Sequence, residues 1–155
     1  MQISDIISPK RICCQAPAAS KKRVFELISD SFAQESLDPD NRHEIFDCLV
    51  ARERLGSTSL GNGVAIPHAR MSKVKQAEGV FISLKTGVDF DAPDGVPVDL
   101  VFALLVPENH TDEHLKILAT LASVFSDGDY RDRLRRCRSE KIMISLLTKL
   151  PVDGQ

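Results

Sequence analysis

Between Ser20 and about Glu35 apolar residues recur at intervals of three and four, and Val24, Leu27, Ile28 and Phe32 fall on one helix face. Ser20 stands where an N-cap is needed. In "LDPDN" Asp38 is placed as the next N-cap, with Pro39 at the first helical position, where its missing N–H costs nothing. The helix predicted from there runs to about Leu55 and buries Ile45, Phe46, Leu49 and Val50. Gly56 is placed to take a left-handed conformation beyond its C-cap. A connection this short predicts an antiparallel pair of helices.

The period then changes. "GVFISLK" (79–85) alternates as a strand does, and "VDLVFALLV" (98–106) is almost continuously apolar, as expected of a central strand covered on both faces. "DAPDGV" between them reads as a turn, Pro107 closes the second strand, and "RICCQ" (11–15) predicts a short strand ahead of the first helix. Helical spacing returns at Thr111, with Leu115, Leu118, Leu121, Ala122 and Phe125 on one face until "SDGD" breaks it. A short Arg-rich helix at about 129–137 and a final one in "SEKIMISLLTKL" follow. Helices on both sides of a strand-rich middle predict an α/β fold. It is a mixed β-sheet flanked by α-helices, one layered domain over residues 1–155.

Composition narrows the function classes. With 155 residues and 43% apolar content the chain has the size of one domain with one core. A formal charge of −2 and a pI near 6.1 lack the basic excess of a nucleic-acid binder, which leaves a partner protein or a small anion. The longest apolar run, 101–106, falls far short of the ~20 residues that cross a bilayer, and the N-terminus carries no signal-peptide pattern. A cytoplasmic protein without membrane insertion is expected. Cys13, Cys14, Cys48 and Cys137 show no zinc or redox spacing and read as reduced, space-filling thiols. The Arg131, Arg135, Arg138 face and the Lys21, Lys22, Arg23 cluster read as solvated, and His43 as a surface residue.

Candidate chemistry gathers in "LGNGVAIPHAR" (60–70). Pro67 has a fixed φ and forces Ile66 into an extended conformation, so His68 is presented at a strand end. Gly61 and Gly63 leave backbone N–H groups unshielded, while Ser57, Thr58 and Ser59 add hydroxyls, a rim that suits an anion. A neutral imidazole is a competent nucleophile at physiological pH, so the arrangement suggests phosphoryl capture; the alternative is a hydrogen-bonded structural histidine beside ordinary turns. In "PENHTDEHLKIL" Thr111 is placed as an N-cap, which sets His114 in the first helical turn with its positive dipole and free N–H groups. A metal site built from His68, His110, His114, Asp112 and Glu113 is the rival class. His110 and His114 straddle the cap, however, and so do not share a helix face. A docking module selected by the charge on His68 is a third.

"GSTSLGNGVAIPHAR" together with "PVDLVFALLVPENHTDEHLKILATLASVF" resembles the IIA domains of the mannitol and fructose class in the bacterial phosphoenolpyruvate-dependent phosphotransferase system. The likeness covers most of the chain, and "SKKRVFELIS" and "ARERLGSTSLGNG" are most similar to its nitrogen-regulatory branch. The resemblance implies that His68 is the phosphorylated residue, that His114 is the second active-site histidine, and that Arg52 is the family's nearby arginine. Arg52 either pairs with a phosphate oxygen or favours the helix C-terminus. The implied donor is an HPr-like histidine phosphocarrier, with no metal or cofactor. The implied targets are regulated proteins such as potassium transporters or sensor kinases. With no membrane segment or second carrier domain in the sequence, a regulator is expected, the alternative being a stand-alone component of sugar uptake.

Overall fold

A computed structural model describes residues 2–35, 39–109 and 111–148. In chain order the elements are β1 (Ile12–Ala16), α1 (Lys21–Glu35), α2 (Arg42–Arg54), β2 (Ser59–Gly61), β3 (Val64–Ala65), β4 (His68–Met71), β5 (Glu78–Val88), β6 (Val98–Pro107), α3 (Thr111–Phe125), α4 (Gly128–Arg136) and α5 (Glu140–Thr148). The sheet has six strands in the order β1-β5-β6-β3-β2, and β4 also pairs with β6. β1 is parallel to β5, β5 antiparallel to β6, and β3 and β4 both run parallel to β6. The sheet is therefore mixed and flanked by helices, as the hydrophobic pattern predicts.

Strand β6 organises the molecule because it pairs on both edges and is buried on both faces; only Asp99 among its residues is partly exposed. Its side chains alternate between two cores. Val101, Ala103 and Leu105 join Val24, Ile28, Phe32, Ile45 and Leu49 under α1 and α2. Leu100, Phe102, Leu104 and Val106 meet Ile117, Leu121, Leu134, Met143 and Leu147 from α3, α4 and α5. The expectation of one core thus resolves into two layers, one on each sheet face.

The ends of the elements correct several expectations. Ser20 does cap α1, its Oγ accepting from the Arg23 N–H at 3.1 Å. Pro39 opens a 3-10 turn, Pro39–Asn41, and α2 proper starts at Arg42; the cap placed at Asp38 lies outside the described residues. Gly56 does not adopt positive φ. α2 ends in a tight turn, with the Leu55 N–H donating to the Arg52 carbonyl and the Gly56 N–H to that of Glu53. On α2, Ile45 and Leu49 are fully buried, Phe46 and Val50 only partly, and Glu53 takes the next inward position. Helix α3 begins at Thr111 itself, one residue earlier than a cap at that position would start it. Its inward face is His114, Ile117, Leu121, Val124 and Phe125, rotated by one residue from expectation; Leu115 is 60% exposed. Cys13 is exposed and Cys137 buried, so only the latter fills space fully.

The two cationic clusters are only partly solvated. Arg135 Nε bonds both carboxylate oxygens of Asp99 (3.1 and 3.0 Å), and Nη2 donates to the Asn62 carbonyl. Lys21 pairs with Glu53 at 2.9 Å and lies 5.1 Å from the Phe90 ring centroid. His43 is a surface residue, beside Asp47.

Candidate functional site

Pro67 divides the strand line that flanks β6 into β3 and β4. Its carbonyl accepts the Leu104 N–H at 2.9 Å, and His68 opens β4 in register with Leu104. Ala69 and Met71 point into the core under α1 and α2, so alternation places His68 and Arg70 together on the opposite face. Just upstream, the Ile66 N–H donates to the Thr58 carbonyl at 3.1 Å. The Ile66 carbonyl lies 2.8 Å from His68 Nδ1. A carbonyl only accepts, so this bond assigns the proton to Nδ1 and leaves the ring's lone pair on Nε2. Burial lowers the His68 pKa from its ordinary value; the bond to Ile66 opposes that shift, and the Arg52 charge reinforces it. The ring is therefore neutral near pH 7.

His114 comes to the same place from the other side of the chain. It lies in the first turn of α3, is 8% exposed, and stands edge to face with His68, ring centroids 5.3 Å apart at 71°. Its Nε2 is buried with no hydrogen-bond partner among the described residues. Burial, then the charges of His68, Arg70 and Arg52, push its pKa down to about 4. Leaving such an atom unpaired costs about 1–3 kcal/mol, the kind of defect a fold retains where a ligand completes it. Arg52, in the last turn of α2, donates from Nη1 to the Gly56 carbonyl at 3.0 Å while its charge acts on both imidazoles. Two neutral rings in the field of two guanidinium groups make a place for a mobile anion.

The remaining sequence candidates are not all brought here. Gly61 (φ +87°) and Gly63 (φ +80°) turn the β2–β3 hairpin. The Gly63 carbonyl accepts from the Asp99 and Leu100 N–H groups, so the hairpin sits four residues back along β6 from the His68 register, about 13 Å away. Two N–H groups of that hairpin are taken: Gly61 donates to Ser59 Oγ and Asn62 to Asp94 Oδ2. Asp94 and Asp99 border the turn, and the cation there, Arg135, is already committed to Asp99 and the Asn62 carbonyl. Ser57 Oγ is spent on the Phe90 carbonyl (2.7 Å) and Thr58 Oγ1 on Glu53 Oε1 (2.7 Å). Of the metal-site alternative, His110 lies outside the described residues, and Asp112 and Glu113 are exposed. Sequence reasoning missed Arg70 and Glu53. The period-2 rule from His68 would have found Arg70. An acid in the last turn of a helix, where the dipole disfavours it, would have singled out Glu53.

The fold that brings the two histidines together is a mixed α/β sheet flanked by helices. Residues 5–150 match the model of the family described as "Phosphoenolpyruvate-dependent sugar phosphotransferase system, EIIA 2", and the chain belongs to that family of phosphotransfer proteins. It is 44% identical to a nitrogen regulatory protein of Pseudomonas aeruginosa, over 100% of this chain and 99% of that one. A nitrogen regulatory protein of Bradyrhizobium diazoefficiens is 38% identical, over 99% of each. Among solved structures, the nitrogen regulatory protein IIA-Ntr from Neisseria meningitidis superposes with a TM-score of 0.87 at 46% identity, covering 94% of this chain and 99% of that one. No helix among the described residues is long and apolar enough to cross a membrane.

Proposed function

We propose that His68 accepts a phosphoryl group on Nε2 from an HPr-like histidine phosphocarrier, and that the resulting change of charge regulates target proteins. The observation that carries this reading is the 2.8 Å bond between His68 Nδ1 and the Ile66 carbonyl, which leaves Nε2 as the nucleophile. As the Nε2–P bond forms, the P–N bond to the donor's imidazole breaks and that ring leaves with its electron pair. Positive charge grows on the His68 ring, and the Nδ1–H bond to Ile66 strengthens to meet it. Transfer between nitrogens of similar basicity is close to isoenergetic, so positioning supplies most of the catalysis. His114, neutral and buried, donates its Nε2–H to the equatorial oxygens, and Arg52 and Arg70 neutralise part of their charge. No metal or cofactor enters the step.

The regulatory part of the reading is supported by relatives named nitrogen regulatory protein that align over almost their whole length. The chain acts in the cytoplasm as one IIA domain, on targets such as potassium transporters or sensor kinases. A second reading, a stand-alone component of sugar uptake, is favoured by the family description itself. Incubation with phosphoenolpyruvate and the general phosphotransferase proteins should place an acid-labile, base-stable label on His68, and His68→Ala should take none. Label at another histidine overturns the assignment. Deletion of the gene should change potassium and nitrogen responses; a defect confined to uptake of one sugar would establish the second reading instead.

A further inference from the structure

We propose that Glu53 is a positioning residue that holds His68 in its nucleophilic tautomer, acting through Thr58 and Ile66 without touching the phosphoryl group. Glu53 sits in the last turn of α2 at 8% exposure, and both its oxygens are committed. Oε1 accepts the Thr58 hydroxyl at 2.7 Å, and Oε2 accepts the Thr58 N–H at 3.1 Å and pairs with Lys21 Nζ at 2.9 Å. The carboxylate thus grips one residue twice. The carbonyl of that residue takes the Ile66 N–H at 3.1 Å, and the Ile66 carbonyl takes the His68 Nδ1–H at 2.8 Å. Pro67 has no N–H to contribute and fixes its own φ, so the Ile66 carbonyl is aimed from the Ile66 side, where Thr58 holds it.

A merely structural brace at this point would serve as well with a neutral side chain. A buried carboxylate near a helix C-terminus faces an unfavourable dipole and needs Lys21 beside it. What the charge adds is an effect on the ring itself: Glu53 raises the His68 pKa against the lowering by Arg52 and Arg70. It keeps the imidazole basic enough to attack while the relay decides which nitrogen does so.

The test uses the full chain with 15N-labelled histidine. The Nδ1 and Nε2 shifts of His68 report the tautomer, and single-turnover transfer from the phosphorylated carrier reports the chemistry. Glu53→Ala should mix the tautomers and slow transfer by about 10²-fold, the cost of a displacement near 1 Å, with binding of the carrier unchanged. In Glu53→Gln the amide oxygen can take the Thr58 N–H while its NH₂ donates to the Thr58 hydroxyl. The tautomer should therefore persist, and the His68 pKa should fall because the charge is gone. Thr58→Val, which keeps the N–H grip and loses the hydroxyl, should give a partial shift and a roughly tenfold slowing. A folded Glu53→Ala protein with wild-type tautomer and rate overturns the relay, as does a Glu53→Gln protein whose tautomers mix. Should Glu53→Ala not fold, an unchanged tautomer and rate in Thr58→Val overturns it equally. The transfer arm rests on the carrier reading of His68. If wild type takes no label there, that reading fails, while the tautomer arm still decides the relay.

Discussion

His114 carries opposing demands in one side chain. Its ring occupies an inward position on α3 that an apolar residue would fill, and its Nε2 is buried without a partner. Replacing it by Leu should leave the protein at least as stable at pH 7.5, by about 1 kcal/mol in a urea titration, because the orphaned polar atom goes. The same variant should slow phosphoryl transfer by about 10²–10³-fold, the usual effect of removing one oxyanion donor. Its pH dependence should change too. The fold holds His114 neutral down to about pH 4, and burial lowers the His68 pKa in the same direction. Below the unfolded value, near ~6.5, the unfolded chain binds protons that the folded chain refuses. Stability is therefore complete above that pH and drains away as pH falls toward 4. Urea midpoints at pH 7.5 and 5 should show a smaller loss for His114→Leu than for wild type. An equal loss would remove His114 as the source.

At the scale of elements, the glycine hairpin illustrates what turns cost. Gly63 has φ +80°, and a Cβ there would come 2.5 Å from Arg135 Nη2 and 2.9 Å from Asp99 Oδ1; Gly95 has φ +72° with open space around it. Gly95→Ala should cost about 1 kcal/mol, the left-handed strain alone, and Gly63→Ala should cost more by the contact with the Arg135–Asp99 pair. Adding Arg135→Ala to Gly63→Ala should recover part of the excess, since the nearest obstacle is the end of a flexible side chain; denaturation midpoints of the four proteins measure it. The long elements were legible in sequence because their periods run for many residues: α1, α3, β5 and β6 all lie where spacing puts them. The short strands β2, β3 and β4 hold three, two and four residues, too few for a period to declare itself. The face of α3 was misjudged by one residue because its inward stripe begins with a polar histidine, while an exposed Leu115 sits beside it. The two histidines were singled out by proline geometry and helix-start chemistry. Their closeness was implied by the family resemblance and not by the pattern itself, because it depends on β4 pairing in register with β6. The glycine loop misled for the same reason: register carries it away along that strand.

The whole molecule is a rigid frame for a local change of charge. β6 fixes both ends of the relevant geometry, since its Leu104 stands against His68 and its Asp99 ties through Arg135 to the hairpin. Both faces of that strand are buried, in two packed layers, which leaves little room for a concerted rearrangement. A phosphoryl group on His68 adds about −1.5 to −2 charges to a chain whose formal charge is −2, roughly doubling its net negative charge at one spot. The field changes most around Arg52 and Arg70, whose charges already act on His114; Leu55, beyond the end of α2, and Leu115, next to His114 in sequence, are exposed and available to a partner. Regulation by phosphorylation state should therefore work through this surface and not through refolding. Amide shifts of the free and phosphorylated protein should differ at 52–58, 66–71 and 111–118. The hairpin at 59–63 and α4 should remain unchanged, along with hydrogen-exchange protection in β5 and β6. Shifts that spread into α4, or a loss of protection in β6, would mean that the phosphoryl group acts by remodelling the frame. The target would then be recognising a second conformation instead of a second charge.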